Sequence, residues 1–246
     1  MPFRPVATIV TAKLPGDTDM KQTHPQTENE QAGKDAPTLP ASANAILDAA
    51  ETLFCAKGFS AVSMREIAAA SGQHLSSANY YFGSKVGLFE AAFLRRIVPV
   101  NKRRVALLHE FRDAGCCELG DVVEAYLRPL FEAEPDDSGQ TARLIMLFSK
   151  QLLSNPGEHS YLQEYYEETS QVFIDAIGRA RPNLDITSVV WAYTYMIGIL
   201  VFTLAGQETV ARIPDDMMRQ MVPDESHDQT IARLRSFICA GIDGLT

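Results

Sequence analysis

The sequence predicts an all-α fold: a three-helix N-terminal head containing a helix-turn-helix, followed by a C-terminal helical bundle. Three observations predict it. Apolar residues recur at three- and four-residue steps in one segment after another, as in Ile46, Leu47, Ala50, Leu53 and Phe54. Clusters of Gly, Pro, Asn and Ser separate these segments, at Gly58, Ser71-Gly72, Gly83-Ser84, Asn155-Pro156-Gly157 and Arg181-Pro182-Asn183. Residues 63–85, SMREIAAASGQHLSSANYYFGSK, read as two short helices around a Gly-containing turn. With 246 residues and 46% hydrophobic composition, the chain has material for one large or two small domains with real cores.

Residues 1–40 are rich in Pro, Thr, Gln and acids and read as a disordered tail. A first helix spans 41–56 and stops at Gly58. Ser63 is placed to cap the second helix, with Glu66 completing a capping box, and Ser71-Gly72 ends it. Leu75 is the apolar residue that locks the turn, and residues 76–82 form the third helix. Ser84 caps a fourth helix that runs past Ile97. Pro99 is expected to kink or break that helix before the pattern resumes to Arg112. Residues 113–120 read as a loop and 121–133 as a helix with Val122, Val123, Tyr126, Leu127 and Leu130 on one side. An acidic turn at 134–139 leads to an apolar helix at 141–154.

A helix at 160–179 follows, and then 186–207, which holds no charged residue. That stretch has the length of a membrane span. It also fits a buried bundle helix, which Thr187, Ser188, Tyr193, Thr194, Tyr195 and Thr203 and the lack of a flanking basic cluster favour. After a polar linker at 208–227, a last helix at 228–245 places Ile231, Leu234, Phe237, Ile238 and Ile242 on one stripe. The domain reading is a tail at 1–40, a helix-turn-helix head at 41–98 and a C-terminal domain at 99–246.

Net charge is −9, which alone argues against a nucleic-acid partner. Its distribution argues the other way. Residues 41–104 hold eight lysines and arginines against four acids, a net +4 on an acidic body. The four cysteines, Cys55, Cys116, Cys117 and Cys239, have no zinc spacing, and reduced thiols in a cytoplasm are expected. No Gly-rich phosphate loop or Gly-x-Ser-x-Gly elbow is present, so the sequence points to no enzyme, no cofactor and no metal.

A helical hairpin in a bundle core is the plainer reading of residues 63–85. The third helix is too polar for that role. Ser76, Ser77, Asn79, Tyr80 and Tyr81 suit phosphates and base edges instead. Residues 46–93, ILDAAETLFCAKGFSAVSMREIAAASGQHLSSANYYFGSKVGLFEAAF, resemble the DNA-binding domain of the TetR family of one-component transcriptional regulators. ILDAAETLFCAKGF, the Ser63-x-Arg65-Glu66-Ile67-Ala68 run, Ala70-Ser71-Gly72 and NYYFGSK carry the resemblance. Many members end the recognition helix with Tyr-x-His-Phe, where this chain has Asn79-Tyr80-Tyr81-Phe82.

The resemblance implies DNA contacts from Ser63, Arg65, Ser76, Ser77, Asn79, Tyr80, Tyr81 and Lys85. It also implies a fourth helix joining head to ligand domain, and a homodimer through the last two helices. The implied partners are a palindromic double-stranded operator and a small apolar effector, acyl or aromatic, with no membrane. Effector candidates are Phe93, Ile97, Met146, Phe148, Leu152, Tyr165, Phe173, Trp191, Tyr195, Met196 and Phe202, each of which also reads as plain core. WAYTYMIGILVFTLAG, residues 191–206, loosely resembles fatty-acid-responsive regulators. The expected function is a cytoplasmic, ligand-released repressor. The alternatives are an activator or protein-partnered regulator of the same fold, and a membrane-anchored helical sensor.

Overall fold

The computed structural model describes residues 39–115, 118–132, 140–154, 160–211 and 226–245, with only the helical backbone given for 152–154, 160–167 and 206–211. The tail, Cys116-Cys117, the acidic turn at 134–139, the breaker at 155–157 and the linker at 212–225 lie outside the described residues. Among the described residues there are nine helices and no strand: α1 Ala41–Lys57, α2 Met64–Ala70, α3 Leu75–Phe82, α4 Lys85–Asp113, α5 Leu119–Glu132, α6 Gln140–Ser154, α7 Ser160–Ala180, α8 Ile186–Ala211 and α9 His227–Asp243.

The head is built by its caps and one apolar stripe. Ala43, Ile46, Leu47, Ala50 and Phe54 line the buried face of α1. The Ser63 hydroxyl accepts the Glu66 N–H at 3.2 Å and starts α2. The end of α2 is a Schellman turn: Gln73 N–H bonds the Ala68 carbonyl at 3.0 Å and Gly72 N–H bonds that of Ala69 at 3.2 Å. Gly72 holds φ at 66°, a backbone state costly for other residues, and this redirects the chain into α3. Ser84 then caps α4 by accepting the Gly87 N–H at 3.1 Å.

The expected break at Pro99 does not occur. α4 is one helix of 29 residues with Pro99 inside it. Proline forfeits one helical hydrogen bond, but the burial of Ile97, Val100, Asn101 and Arg104 around it keeps the chain helical on both sides. Because α4 packs on α1 and α3 at one end and on α5, α6 and α7 further along, it belongs to both halves of the protein. The core is likewise continuous. Phe89 meets Phe54 edge-on at 5.1 Å, while Phe93 stacks on Phe148 of α6 at 4.0 Å. The apolar centre of the head thus runs into the bundle without a gap.

α8 runs four residues beyond the expected end, to Ala211. Its inner stripe, Val189, Ala192, Tyr193, Met196, Leu200 and Leu204, is buried. Its outer stripe is exposed and apolar, with Ile186 at 70%, Val190 at 43%, Trp191 and Tyr195 each at 51% and Phe202 at 81%. Residues 186–205 are long and apolar enough to cross a membrane, though a third of the span is already buried against the bundle. In α9, Ile231, Leu234, Ile238 and Ile242 face inward, but Phe237 is 66% exposed. The single stripe expected there is corrected: 231, 234, 238 and 242 share a face, and 237 falls beside it.

Candidate functional site

α3 is anchored by one face and offers the other. Ala78 is fully buried beneath it, and Tyr81 and Phe82 pack against the core. Tyr81 also hydrogen-bonds Ser42 of α1 through its hydroxyl at 3.0 Å. The opposite face carries Ser76, Asn79 and Tyr80, all exposed and spaced i, i+3, i+4, so they project together. Arg65 on α2 is exposed, with no ion pair among the described residues. A short polar ridge with one guanidinium beside it has the donors and acceptors to meet phosphates and base edges.

Three predicted residues have their polar groups engaged within the head. Ser63 uses its hydroxyl as a helix cap. Tyr81 is tied to α1, with its ring 5.3 Å from that of Tyr80. Lys85 turns its ammonium inward. It donates to the Phe59 and Val62 carbonyls, each at 3.1 Å, and lies 4.4 Å from the centroid of the Phe59 ring. In this arrangement Lys85 clamps the α1–α2 loop onto the start of α4 rather than reaching out to a phosphate.

The basic surplus of the head is also largely engaged. Glu51 is 2% exposed and accepts Arg95 Nε at 2.7 Å and Arg96 Nη2 at 2.6 Å. Arg95 reaches Asp48 as well, at 2.8 Å. Burial alone would pull the Arg95 guanidinium down, but hydrogen bonds and charge from Glu51, then Asp48, raise it above its ordinary value. A surface cleft of about 600 Å³ opens beside this cluster, bordered by Asp48, Arg95, Arg96, Arg103 and Glu132. Elsewhere in the head, the Lys57 ammonium, and to a smaller degree the Ser63 N–H, hold the Glu66 carboxyl below its usual range.

The effector candidates separate into three groups. Phe93, Ile97 and Phe148 are buried where head and bundle join, with Met146 half-buried beside them. Phe173 and Met196 are fully buried deeper in the bundle. Trp191, Tyr195 and Phe202 do not line the interior: they stand on the outer stripe of α8, where Trp191 and Tyr195 stack at 5.5 Å. An α8 buried on one side only has room inward for just half of its large residues. The side chains of Leu152 and Tyr165 lie outside the described residues.

A polar cluster that the apolar candidates did not include sits among them. Arg104 is 3% exposed. It donates from Nε to the Tyr126 carbonyl at 2.7 Å and from Nη1 to Asn101 Oδ1 at 2.9 Å, and its guanidinium lies 3.8 Å from the Tyr126 ring centroid. The Tyr126 ring meets Phe173 at 5.1 Å and Tyr193 at 5.8 Å, and the Tyr193 hydroxyl pairs with Ser170 at 3.0 Å. Burial first, and Tyr126 second, push the Tyr193 phenol well above its ordinary range. One signal pointed here. Asn101 and Arg104 fall on the register of the buried positions Leu94, Ile97 and Leu108, although the run Asn-Lys-Arg-Arg looks like surface.

A helix-turn-helix head with an exposed polar ridge, carried on a long helix into an all-helical body, has the architecture of a DNA-binding transcriptional regulator. Residues 46–92 match the family described as bacterial regulatory proteins, tetR family, and residues 124–241 match a tetracyclin repressor-like C-terminal domain. The chain belongs to the TetR family of transcriptional regulators, a non-enzymatic family. Solved structures share the fold at low identity. The ketosteroid transcriptional regulator KstR2 of Mycobacterium tuberculosis is 16% identical over 83% of this chain and 96% of its own, with a TM-score of 0.53. NalD of Pseudomonas aeruginosa, the secondary repressor of the MexAB-OprM multidrug efflux pump, is 18% identical over 81% and 96%, with a TM-score of 0.53. A TetR-like regulator from Rhodococcus sp. RHA1 is 19% identical over 84% and 100%, with a TM-score of 0.54. No curated protein matches the sequence.

Proposed function

We propose that the protein is a repressor that binds a palindromic operator as a homodimer and lets go when a small, largely apolar effector occupies its C-terminal domain. The observation that carries this is the exposed Ser76-Asn79-Tyr80 ridge of α3, flanked by Arg65, on a helix whose opposite face is anchored by buried Ala78. Asn79 and Arg65 have the geometry for purine edges, and Tyr80 and Ser76 for phosphates. Ser77, half-buried, sits at the margin of the ridge. In this reading the DNA-binding unit is 41–98 and the ligand and dimer unit is 99–246, with α4 crossing the boundary.

One head makes few contacts, so affinity requires two, placed about 34–36 Å apart or at a stretched version of that spacing. The outer stripe of α8 with Phe237 of α9 supports a dimer through these two helices, since an apolar face of this extent is costly in water. The same stripe could face lipid. The buried inner stripe of α8 favours the bundle, because a spanning helix would have to abandon those contacts. The protein then works in the cytoplasm.

The effector must bind the DNA-incompetent spacing more tightly, by about 1–3 kcal/mol for a useful switch. Sequencing genomic fragments retained by the purified protein, followed by gel shift and light scattering, tests the reading. Selective retention of palindromic fragments by a dimer is expected. A strictly monomeric protein with no fragment preference at low salt defeats it.

A further inference from the structure

We infer that Arg104 and Asn101 form the head-group site for an organic acid: the effector carries a single carboxylate on an apolar body. The inference rests on the ligand-responsive reading above and deepens it. Arg104 is an almost fully buried cation. Among the described residues no carboxylate pairs with it; its acceptors are the Tyr126 carbonyl and Asn101 Oδ1. Asn101 is 3% exposed, and its Nδ2 is buried without any hydrogen-bond partner. The guanidinium has only donors, so it fixes the amide with Oδ1 toward Arg104 and leaves the NH2 group pointing elsewhere.

A buried positive charge and an orphaned buried donor side by side both disfavour the empty protein. A carboxylate relieves both, because its two oxygens accept from the guanidinium fork and from the amide together. One cation beside a neutral amide balances one negative charge, which suits a monoanion better than a phosphate. The aromatic wall of Tyr126, Phe173 and Tyr193 beside the pair suits an apolar remainder.

The test uses purified full-length protein and calorimetry with octanoate, dodecanoate, benzoate and phenylacetate, each against its own primary amide. At least one acid should bind, at least about tenfold more tightly than its amide. R104Q should erase that preference. N101D should erase it too, while raising the melting temperature, because its carboxylate supplies the missing counter-charge from inside. If R104Q fails to fold, N101D alone decides. The inference is overturned if none of the acids binds or if acid and amide bind equally. It is also overturned if the preference survives either substitution, as it would were the acid held in the surface cleft between Arg95 and Arg103. Operator binding is scored separately by gel shift. A protein that binds acids with this preference but no DNA sinks the regulator reading and leaves the site standing; one that binds DNA and ignores the acids does the reverse.

Discussion

Replacing Gly87 with Ala should disturb the reading head without touching a DNA-facing residue. Gly87 lies in the first turn of α4, directly under the end of α3. A Cβ built there sits 2.4 Å from the Phe82 carbonyl oxygen and 3.6 Å from its carbon. Carbon and oxygen ordinarily approach no closer than about 3.3 Å, so the end of α3 must retreat by roughly 1 Å. The obstacle is backbone, and Phe82 O already accepts the Ser84 N–H at 2.7 Å, so no flexible side chain can absorb the change. Overpacking of this kind costs about 1–3 kcal/mol, and a chain of this size should then melt about 3–10 °C lower. Displacement of the ridge should also weaken at least one base contact, each worth about 1–3 kcal/mol, so operator affinity should fall about tenfold or more. Thermal unfolding and gel shift on the purified variant measure both. A G87A protein that melts within about 1 °C of the wild type and binds within about twofold refutes the packing argument.

Four further outcomes are expected. Asn79→Ala and Tyr80→Ala should each weaken operator binding by about 1–3 kcal/mol in gel shift and leave the dimer intact by light scattering. Phe202→Glu, on the outer stripe of α8, should shift the protein toward monomer and lower operator affinity with it, and an unchanged mass would remove α8 from the interface. Glu51→Gln should cost about 2–4 kcal/mol in urea unfolding, since it removes a buried carboxylate shared by Arg95 and Arg96, while Asp48 on Arg95 and the partial exposure of both arginines soften the loss. Glu66, Asp185 and Asp243 are held below their ordinary values, chiefly by Lys57, the Ser188 N–H and Arg181 respectively. Their folded values lie under their unfolded ones, so their stabilisation is complete above the unfolded values and fades as pH falls through the folded ones. Melting temperature should be flat from about pH 7 to pH 5 and drop below about pH 4.

Much of this architecture was legible in the residues because local signals agreed with one another. Ser63, Gly72 and Ser84 each act as the cap or stop their types favour, and the stripe of α1 is the one its spacing describes. The failures have a common cause: tertiary packing outweighed a local preference. Pro99 should interrupt a helix, but buried neighbours on both sides carry α4 through it. Arg104 sits in a basic run and reads as surface until the rotation of α4 places it inside. Trp191, Tyr195 and Phe202 resemble core because a single chain cannot say which side of an apolar helix its own bundle covers. Gly87 gave no signal, since close approach of two backbones is invisible until both are placed.

The unbroken course of α4 would make it a lever in the proposed switch. At 1.5 Å per residue its 29 residues span about 43 Å, and Asn101 stands about 24 Å from the end that carries the recognition helix. A swing of only about 5° about Asn101 therefore carries that end through about 2 Å, and two such arms in a dimer change the gap between their tips by up to about 4 Å. In the proposed switch, Pro99 with its one missing hydrogen bond would be the softest point of the rod for such a swing.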